Sequence, residues 1–358
     1  MKIGILTFHC AHNYGAVLQT YALQQYLKSI GHEVYVLDYR PDFLTRGYKP
    51  SLSLSFSGKS LKRFLKNFYT QLLTGRYLRK RYSNFSNFIN NRLNLKKYNS
   101  ELTDIDYIFL GSDQIWSPEI TGKKFDDNYF AYNANCKIVS YAASSNKTSF
   151  TPEEQGYLKR MFKRFFAISV REESLRAIIQ ECSTIPVKCV LDPTFLPGKS
   201  CFEDLASDSL MNKDCILVFE LNLMDNLRKM GRELGKQTNS RVIYLTGYPY
   251  ISRVHNSLTD ISPEEMLSLF KNAKCIITSS FHGTAFSLIF NKPFFTVKKN
   301  SPSDKRMESL LNKLGLLDRF IDITDMPTYS KIDYGKVNPL LAKEVQESKN
   351  FINEALKS

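Results

Sequence analysis

Short apolar runs alternate with stretches of helical period along nearly the whole chain, and this alternation restricts the fold more than any other feature. KIGILTF (2–8) reads as a buried strand; Ala16, Leu23, Leu27 and Ile30 then recur at helical spacing until Gly31, and EVYVLDY (33–39) starts the next strand. This is a βαβ unit, and its repetition builds a parallel sheet. Further strands are expected at DYIFLG (106–111), KIVSYA (137–142), FAISV (166–170) and VKCVL (187–191). After Pro193 and Pro197 a polar stretch, SCFEDLASDSLMNKD, interrupts the pattern. A second series follows: CILVFEL (215–221), a helix over 224–237, RVIYLTG (241–247), a helix from Pro263, CIITSS (275–280), a helix from His282 and PFFTV (293–297). The expected architecture is α/β, two Rossmann-like parallel-sheet domains facing a cleft. The N-terminal domain spans 1–197, with a basic helical insertion over 41–100, and the C-terminal domain spans 213–335. A last helix, 339–357, is expected to return and brace the first domain.

The composition suits this fold. At 358 residues the chain exceeds what one core usually serves, and 43% hydrophobic with 23% charged residues is the mixture of a compact globular protein. No apolar run approaches the roughly 20 residues of a membrane span, and the apolar run at the amino terminus is too short for a secretory signal. A cytoplasmic protein is expected. Seven cysteines without a CxxC pair read as reduced and structural.

Of the net charge of +14, the segment 41–100 supplies +12, with thirteen Lys and Arg against the single acid Asp42. Within it, LKRFLKNFYTQLL (61–73) places Leu61, Phe64, Leu65, Phe68 and Leu72 on one helical face, with Lys62, Arg63 and Lys66 between them. Such a helix either packs its apolar stripe on the domain or touches an acidic glycan or an anionic membrane at the inner face. A nucleic-acid partner is not expected, since the basic run contains no recognised reading motif.

In parallel α/β sheets, ligands bind outside the carboxyl ends of strands. Four such ends carry unusual chemistry. In SSFHGT, Gly283 permits a sharp turn, and Ser279, Ser280 and Thr284 offer hydroxyls and amides at a helix start that favours an anion such as phosphate. His282 there can donate to a phosphate oxygen or move a proton near neutral pH. In GSDQIW, Ser112, Asp113 and Gln114 stand beside the only tryptophan, Trp116, a set suited to a sugar, with Asp113 as base for a hydroxyl; a turn cap is the simpler alternative. In NYGAVLQ, Asn13, Gly15 and Gln19 form a loop facing phosphate or glycan, although its single glycine excludes the dinucleotide fingerprint. In SVREE, Arg171 can clamp a carboxylate or phosphate with two prongs, or simply pair with Glu172 or Glu173; Arg306 is a further candidate of the same kind. Asp192 reads as closing a turn before Pro193. There is no Walker loop, HExxH, GxSxG or ligand-spaced metal cluster, so neither metal nor bound cofactor is expected.

Taken in order, NYGAVLQ, GSDQIW, SVREE, VLDPTF and SSFHGTAFSLIFNKPF resemble the polysaccharide pyruvyl transferase family over roughly residues 1–320. The resemblance implies a GT-B-like fold, phosphoenolpyruvate as donor and a glycan or lipid-linked sugar as acceptor. The product would be a pyruvate ketal on a capsule or exopolysaccharide unit. It implies roles for His282 as proton donor or phosphate contact and for Arg171 as anion clamp; Asp113 then serves as base or acceptor-hydroxyl ligand and Trp116 as sugar platform. Family members often carry an arginine two residues before the His-Gly pair, where this chain has Ser280, so either Arg171, Arg306 or Lys298 supplies the missing charge or the donor differs. Two alternatives remain at this level: a GT-B-type glycosyltransferase using a nucleotide sugar, and a non-catalytic glycan-binding relative.

Overall fold

The computed structural model describes residues 1–48, 61–98, 104–207, 214–220, 225–247, 256–301 and 304–357, with backbone alone for 61–74. The first sheet holds β1 (Lys2–Leu6), β2 (Glu33–Asp38), β3 (Leu95–Lys97), β4 (Tyr107–Leu110), β5 (Lys137–Ala143), β6 (Phe165–Val170) and β7 (Val187–Cys189). Helices α1 (Tyr14–Ser29), α2 (Asp42–Thr45), α3 (Leu61–Arg92), α4 (Pro152–Phe162) and α5 (Glu173–Gln180) accompany it. After α6 (Lys199–Leu205), the second sheet holds β8 (Ile216–Glu220), β9 (Val242–Thr246), β10 (Ser257–Leu258), β11 (Cys275–Thr278), β12 (Phe294–Val297) and β13 (Phe320–Ile321). Its helices are α7 (Asp225–Thr238), α8 (Pro263–Asn272), α9 (Phe281–Ile289) and α10 (Asp304–Lys313), and α11 (Tyr334–Lys357) closes the described chain.

The strand orders are 3-2-1-4-5-6-7 and 10-9-8-11-12-13. Neighbouring strands in both sheets pair in parallel. Each domain is thus doubly wound, with its order reversing between β1 and β4 in one sheet and between β8 and β11 in the other; crevices open at such reversals. Helices cover both faces, so β4, β11 and β12 are buried at every position. Helices α4 and α8 start alike, with Thr151 and Glu154, or Ser262 and Glu265, forming reciprocal caps ahead of a proline at the first turn. The short strands β3, β10 and β13 escaped the sequence reading because two or three residues carry no measurable periodicity.

The helix expected over 61–73 continues to Arg92. Its second half buries Phe85, Phe88 and Ile89 in a core cluster that continues into the C-terminal domain. Part of its positive charge joins the domains: Arg81 donates to His12 O (3.1 Å), Thr259 O (3.0 Å) and Tyr14 Oη (3.2 Å). Lys80 and Arg92 pair with Asp260 and Glu264 at 3.3 and 3.4 Å. The side chains of Lys62, Arg63 and Lys66, on which membrane contact was expected to rest, lie outside the described residues. Among the described residues no helix is long and apolar enough to cross a membrane.

Helix α11 ties the two halves together. Near its start Tyr334 Oη donates to Lys292 O at 2.6 Å in the C-terminal domain. Farther along, Ser348 Oγ accepts from Leu191 N at 2.9 Å, and Phe351 packs on Tyr141 of the N-terminal domain.

Candidate active site

The loops after β1, β4 and β6 meet those after β11 and β12 around a cavity of about 170 Å³ between the domains. Asn13, Asp113, Gln114 and Arg171 line it from one side, and Ser279, Ser280, His282, Lys299 and Arg306 from the other.

Asn13 caps α1, its side-chain oxygen accepting from Gly15 N at 2.9 Å. The next residue but one must lack a side chain, because a Cβ on Gly15 would lie 2.0 Å from His282 Nδ1. The imidazole of one domain therefore sits on the first helical turn of the other. Its second nitrogen, Nε2, stands 3.6 Å from Asp192 Oδ2, and no hydrogen-bond partner saturates it among the described residues.

Asp192 is completely buried and forms the hub behind the cavity. Its Oδ1 accepts from Thr194 N (3.0 Å) and Thr194 Oγ1 (2.8 Å), and its Oδ2 receives Arg171 Nη1 at 2.7 Å. Burial opposes ionisation, yet the adjoining His282, the Arg171 guanidinium and the Thr194 amide together hold the carboxyl well below the ordinary carboxylate range. Arg171 shows the reciprocal balance: burial disfavours its charge, while Asp192 and Glu172 outweigh that and raise its pKa. Its guanidinium also lies 4.9 Å over the Phe281 ring.

Glu172 organises the second cation. Its Oε1 accepts from Ser144 Oγ at 2.5 Å and lies 3.4 Å from Arg306 Nε. Burial and the nearby Arg171 charge lower the Arg306 pKa. A third cation, Lys299, lines the cavity with its pKa likewise lowered by burial, Asp304 opposing the shift and Arg306 adding to it. Asp192 and Glu172 stay behind the wall, so the lining carries Arg171, Lys299 and Arg306 against Asp113. Among the described residues no side chain caps α9, whose first residues, Ser280, Phe281 and His282, line this cavity and leave backbone N–H groups free at a helix start, and the buried Ser279 Oγ lacks a partner there. Together these groups can hold a small ligand with more than one anionic group.

Asp113 approaches from the N-terminal side with φ of 74°, held there by Ser144 N donating to its carbonyl at 2.9 Å. The preceding Gly111 also has positive φ, 109°, and any Cβ on it would meet Tyr141 O at 2.5 Å. The motif's glycine thus serves a backbone crossing close to β5.

Several predicted contacts require correction. Trp116 is fully buried among Phe130, Phe162 and Phe165 in the N-terminal core, so it cannot serve as a sugar platform. Gln19 and Ser112 are also fully buried and reach the site only through other groups. Gln19 Nε2 donates to Thr7 Oγ1 (3.1 Å), which donates to Ser112 O (2.8 Å), and Ser112 Oγ lies 3.2 Å from Asp192 Oδ2. Thr284 turns inward to Thr296 Oγ1 (2.7 Å), and Gly283 allows α9 to approach Thr278 and Phe219. Gly15 shapes the site as the seat of His282. Lys298, proposed as a replacement cation, pairs instead with Asp322 at 2.9 Å.

The sequence reading passed over Asp192, Glu172 and Lys299. Asp192 does close the expected turn, but with one oxygen only. In the sequence Glu172 reads only as an alternative partner of Arg171, whereas both are buried and Glu172 also holds Arg306. Lys299 differs from Lys298 only in the direction it takes after β12. Among the described residues no group of three His, Cys, Asp or Glu side chains could hold a metal ion.

The sequence profile of the polysaccharide pyruvyl transferase family matches residues 13–300, from the α1 cap through β12 and Lys299. The chain belongs to this family. The polysaccharide pyruvyl transferases are transferases, and the matched region holds the cavity's lining residues from Asn13 to Lys299, with Arg306 just beyond it. No curated protein matches the chain at a significant level. Among solved structures, this pyruvyl transferase family member is similar to the UDP-GlcNAc 2-epimerase of Methanocaldococcus jannaschii in complex with UDP-GlcNAc and UDP, at 12% identity and a TM-score of 0.44, covering 96% of this chain and 93% of that one. It is also similar to the Neisseria meningitidis UDP-GlcNAc 2-epimerase bound to UDP-GlcNAc (12%, TM-score 0.46, 100% of each chain). A third likeness is to the Escherichia coli heptosyltransferase WaaC with ADP (12%, TM-score 0.39, 99% of this chain and 100% of that one).

Proposed function

We propose that this transferase takes the pyruvyl group of phosphoenolpyruvate and places it as a ketal across two hydroxyls of a sugar in a cell-surface glycan or its precursor. One observation carries the reading: Arg171, Lys299 and Arg306 converge with the uncapped start of α9 and with His282 on one small cavity. Phosphoenolpyruvate has a carboxylate and a phosphate, and two separated anionic groups call for several cations and backbone donors in one place.

The chemistry follows in two additions. A proton from His282 is delivered to the C3 methylene of the donor, leaving C2 electrophilic. A sugar hydroxyl attacks C2, giving its proton to Asp113 as the first C–O bond forms. A second hydroxyl of the same sugar then forms the other C–O bond while the C2–O bond to phosphate breaks; its proton leaves with the phosphate or returns to the imidazole. Two hydroxyl protons are lost, one proton is gained at C3, and inorganic phosphate is the leaving group. Arg171, Lys299 and Arg306 hold the anions throughout, and Asp192 positions both His282 and Arg171.

The test is incubation with phosphoenolpyruvate and a panel of methyl glycosides, following phosphate release and a glycoside mass gain of one pyruvate less water. Undiminished turnover by His282→Ala would overturn the site assignment. Thermal stabilisation by UDP or GDP, but not by phosphoenolpyruvate, would favour a nucleotide-sugar glycosyltransferase.

A further inference from the structure

Trp116 is buried and does not supply the aromatic face expected beside Asp113, but a set of rings stands close by. A second cavity, of about 120 Å³, opens on the N-terminal domain where the chain leaves β1 and β2. It is lined by the rings of His12, Tyr48 and Tyr82 and by Arg40, Asp42 and Thr45. These residues come from three separate parts of the chain: the β1–α1 loop, the segment after β2 that includes α2, and the second half of α3.

The rings are held firmly. His12 stacks on buried Phe85 (centroids 5.3 Å, 13° between planes) and on Tyr48 (5.0 Å, 20°), with Tyr82 tilted against it at 4.8 Å. Tyr48 remains 36% exposed, which leaves aromatic surface for a ligand. Burial, Arg81 and Arg40 lower the His12 pKa to about 4, so at neutral pH its imidazole is uncharged and offers one donor and one acceptor. No hydrogen bond among the described residues engages its ring nitrogens. Around the rings stand groups of both polarities. Arg40 pairs with Asp38 at 2.6 Å, and Asp42 with Arg46 at 3.1 Å in a pair so exposed that it holds its partners weakly. Thr45 Oγ1 donates to Pro41 O, leaving its lone pairs open. An aromatic face bordered by donors and acceptors suits a pyranose, which presents C–H groups on its faces and hydroxyls around its edge.

The cavity adjoins the cation site. His12 lines one and Asn13 the other, with α-carbons about 3.8 Å apart across a single peptide bond. Burial raises the pKa of the Tyr48 phenol, with Arg81 opposing and the Asp113 charge adding to the rise.

We propose that this cavity is the acceptor subsite, seating one pyranose of the glycan on the exposed side of Tyr48, beside the edge of the His12 ring, so that its hydroxyls extend past Asn13 towards Asp113. The proposal rests on the reading of the cation cavity as the donor site. It is tested on the full chain by saturation-transfer NMR with the methyl pyranosides of glucose, galactose, mannose and N-acetylglucosamine, alongside thermal shifts with phosphoenolpyruvate. At least one glycoside should receive saturation from the unsubstituted protein. Tyr48→Ala and Tyr82→Ala should each weaken it by roughly tenfold, Tyr48→Phe should preserve it, and all should keep the phosphoenolpyruvate shift. Thr45→Arg, which fills the cavity without removing a ring, replaces any variant that fails to fold. Absence of saturation with every glycoside, or equal binding by Tyr48→Ala, would overturn the subsite. Glycoside binding without a phosphoenolpyruvate shift would sink the donor reading and leave the sugar site standing.

Discussion

Gly15 and His282, one from each domain, are in such close contact that a methyl group on the first would stand 2.0 Å from Nδ1 of the second. The imidazole is thereby located between α1 and the buried carboxylate of Asp192, and its position depends on how the two domains meet. Stacked sheets alone would not fix it.

Gly15→Ala tests this directly. Alanine favours the helix by about 1 kcal/mol over glycine, so α1 itself should not suffer. Displacing the imidazole should nevertheless reduce turnover by roughly 100-fold. Phosphate release measured beside a thermal melt separates the two effects; full activity in a folded variant would refute the contact.

Asp192→Asn should destabilise the protein by about 3 kcal/mol, since Arg171 would remain buried with its nearest carboxylate gone and Glu172, at 3.6 Å, left to offset its charge. The folded Asp192 carboxyl has a depressed pKa. Its stabilisation is therefore complete above the unfolded value of about 3.9 and is lost progressively as pH falls from there through the folded value. Urea unfolding should show a constant gap between the two proteins from about pH 7 to 5, narrowing below about pH 4.

Lys299→Ala and Arg306→Ala should each weaken phosphoenolpyruvate binding by about tenfold or more, about 1.4 kcal/mol. Arg306→Lys should not restore it, because Nε and Nη1 of the fork reach Glu172 and Ser144 separately. Lys298→Ala is the control and should bind normally, its ammonium being engaged by Asp322. Isothermal titration with phosphoenolpyruvate decides among these.

Trp116→Phe should cost about 1–3 kcal/mol of stability, through lost packing and the bond from Nε1 to Tyr129 O at 3.4 Å. Donor and glycoside binding should be unchanged. A selective loss of glycoside binding at full stability would return Trp116 to the role of platform.

The legible part of the site followed from backbone position. His282, Asp113, Arg171, Asn13 and Arg306 were all found from strand ends or helix starts, and all line the cavity. The errors concerned direction. Trp116 and Gln19 sit in the correct motifs but face the core, and nothing in a local pattern distinguishes a side chain pointing into a cleft from one pointing into a sheet–helix interface. Asp192 shows the reverse. Its Asp-Pro context has a sufficient explanation as a turn, which concealed the hub it forms with groups from three other segments.

Two parallel sheets, and the strand ends at which chemistry collects, could be read from the order of residues, because apolar periodicity belongs to successive residues and survives without knowledge of any distant contact. That Lys299 and not Lys298 faces the cavity, that Glu172 and Asp192 stand behind the arginines, and that Gly15 supports His282 emerged from the folded chain. Each of these depends on segments remote in the chain competing for one buried volume, where burial and charge pairing select the neighbours that local propensity leaves open.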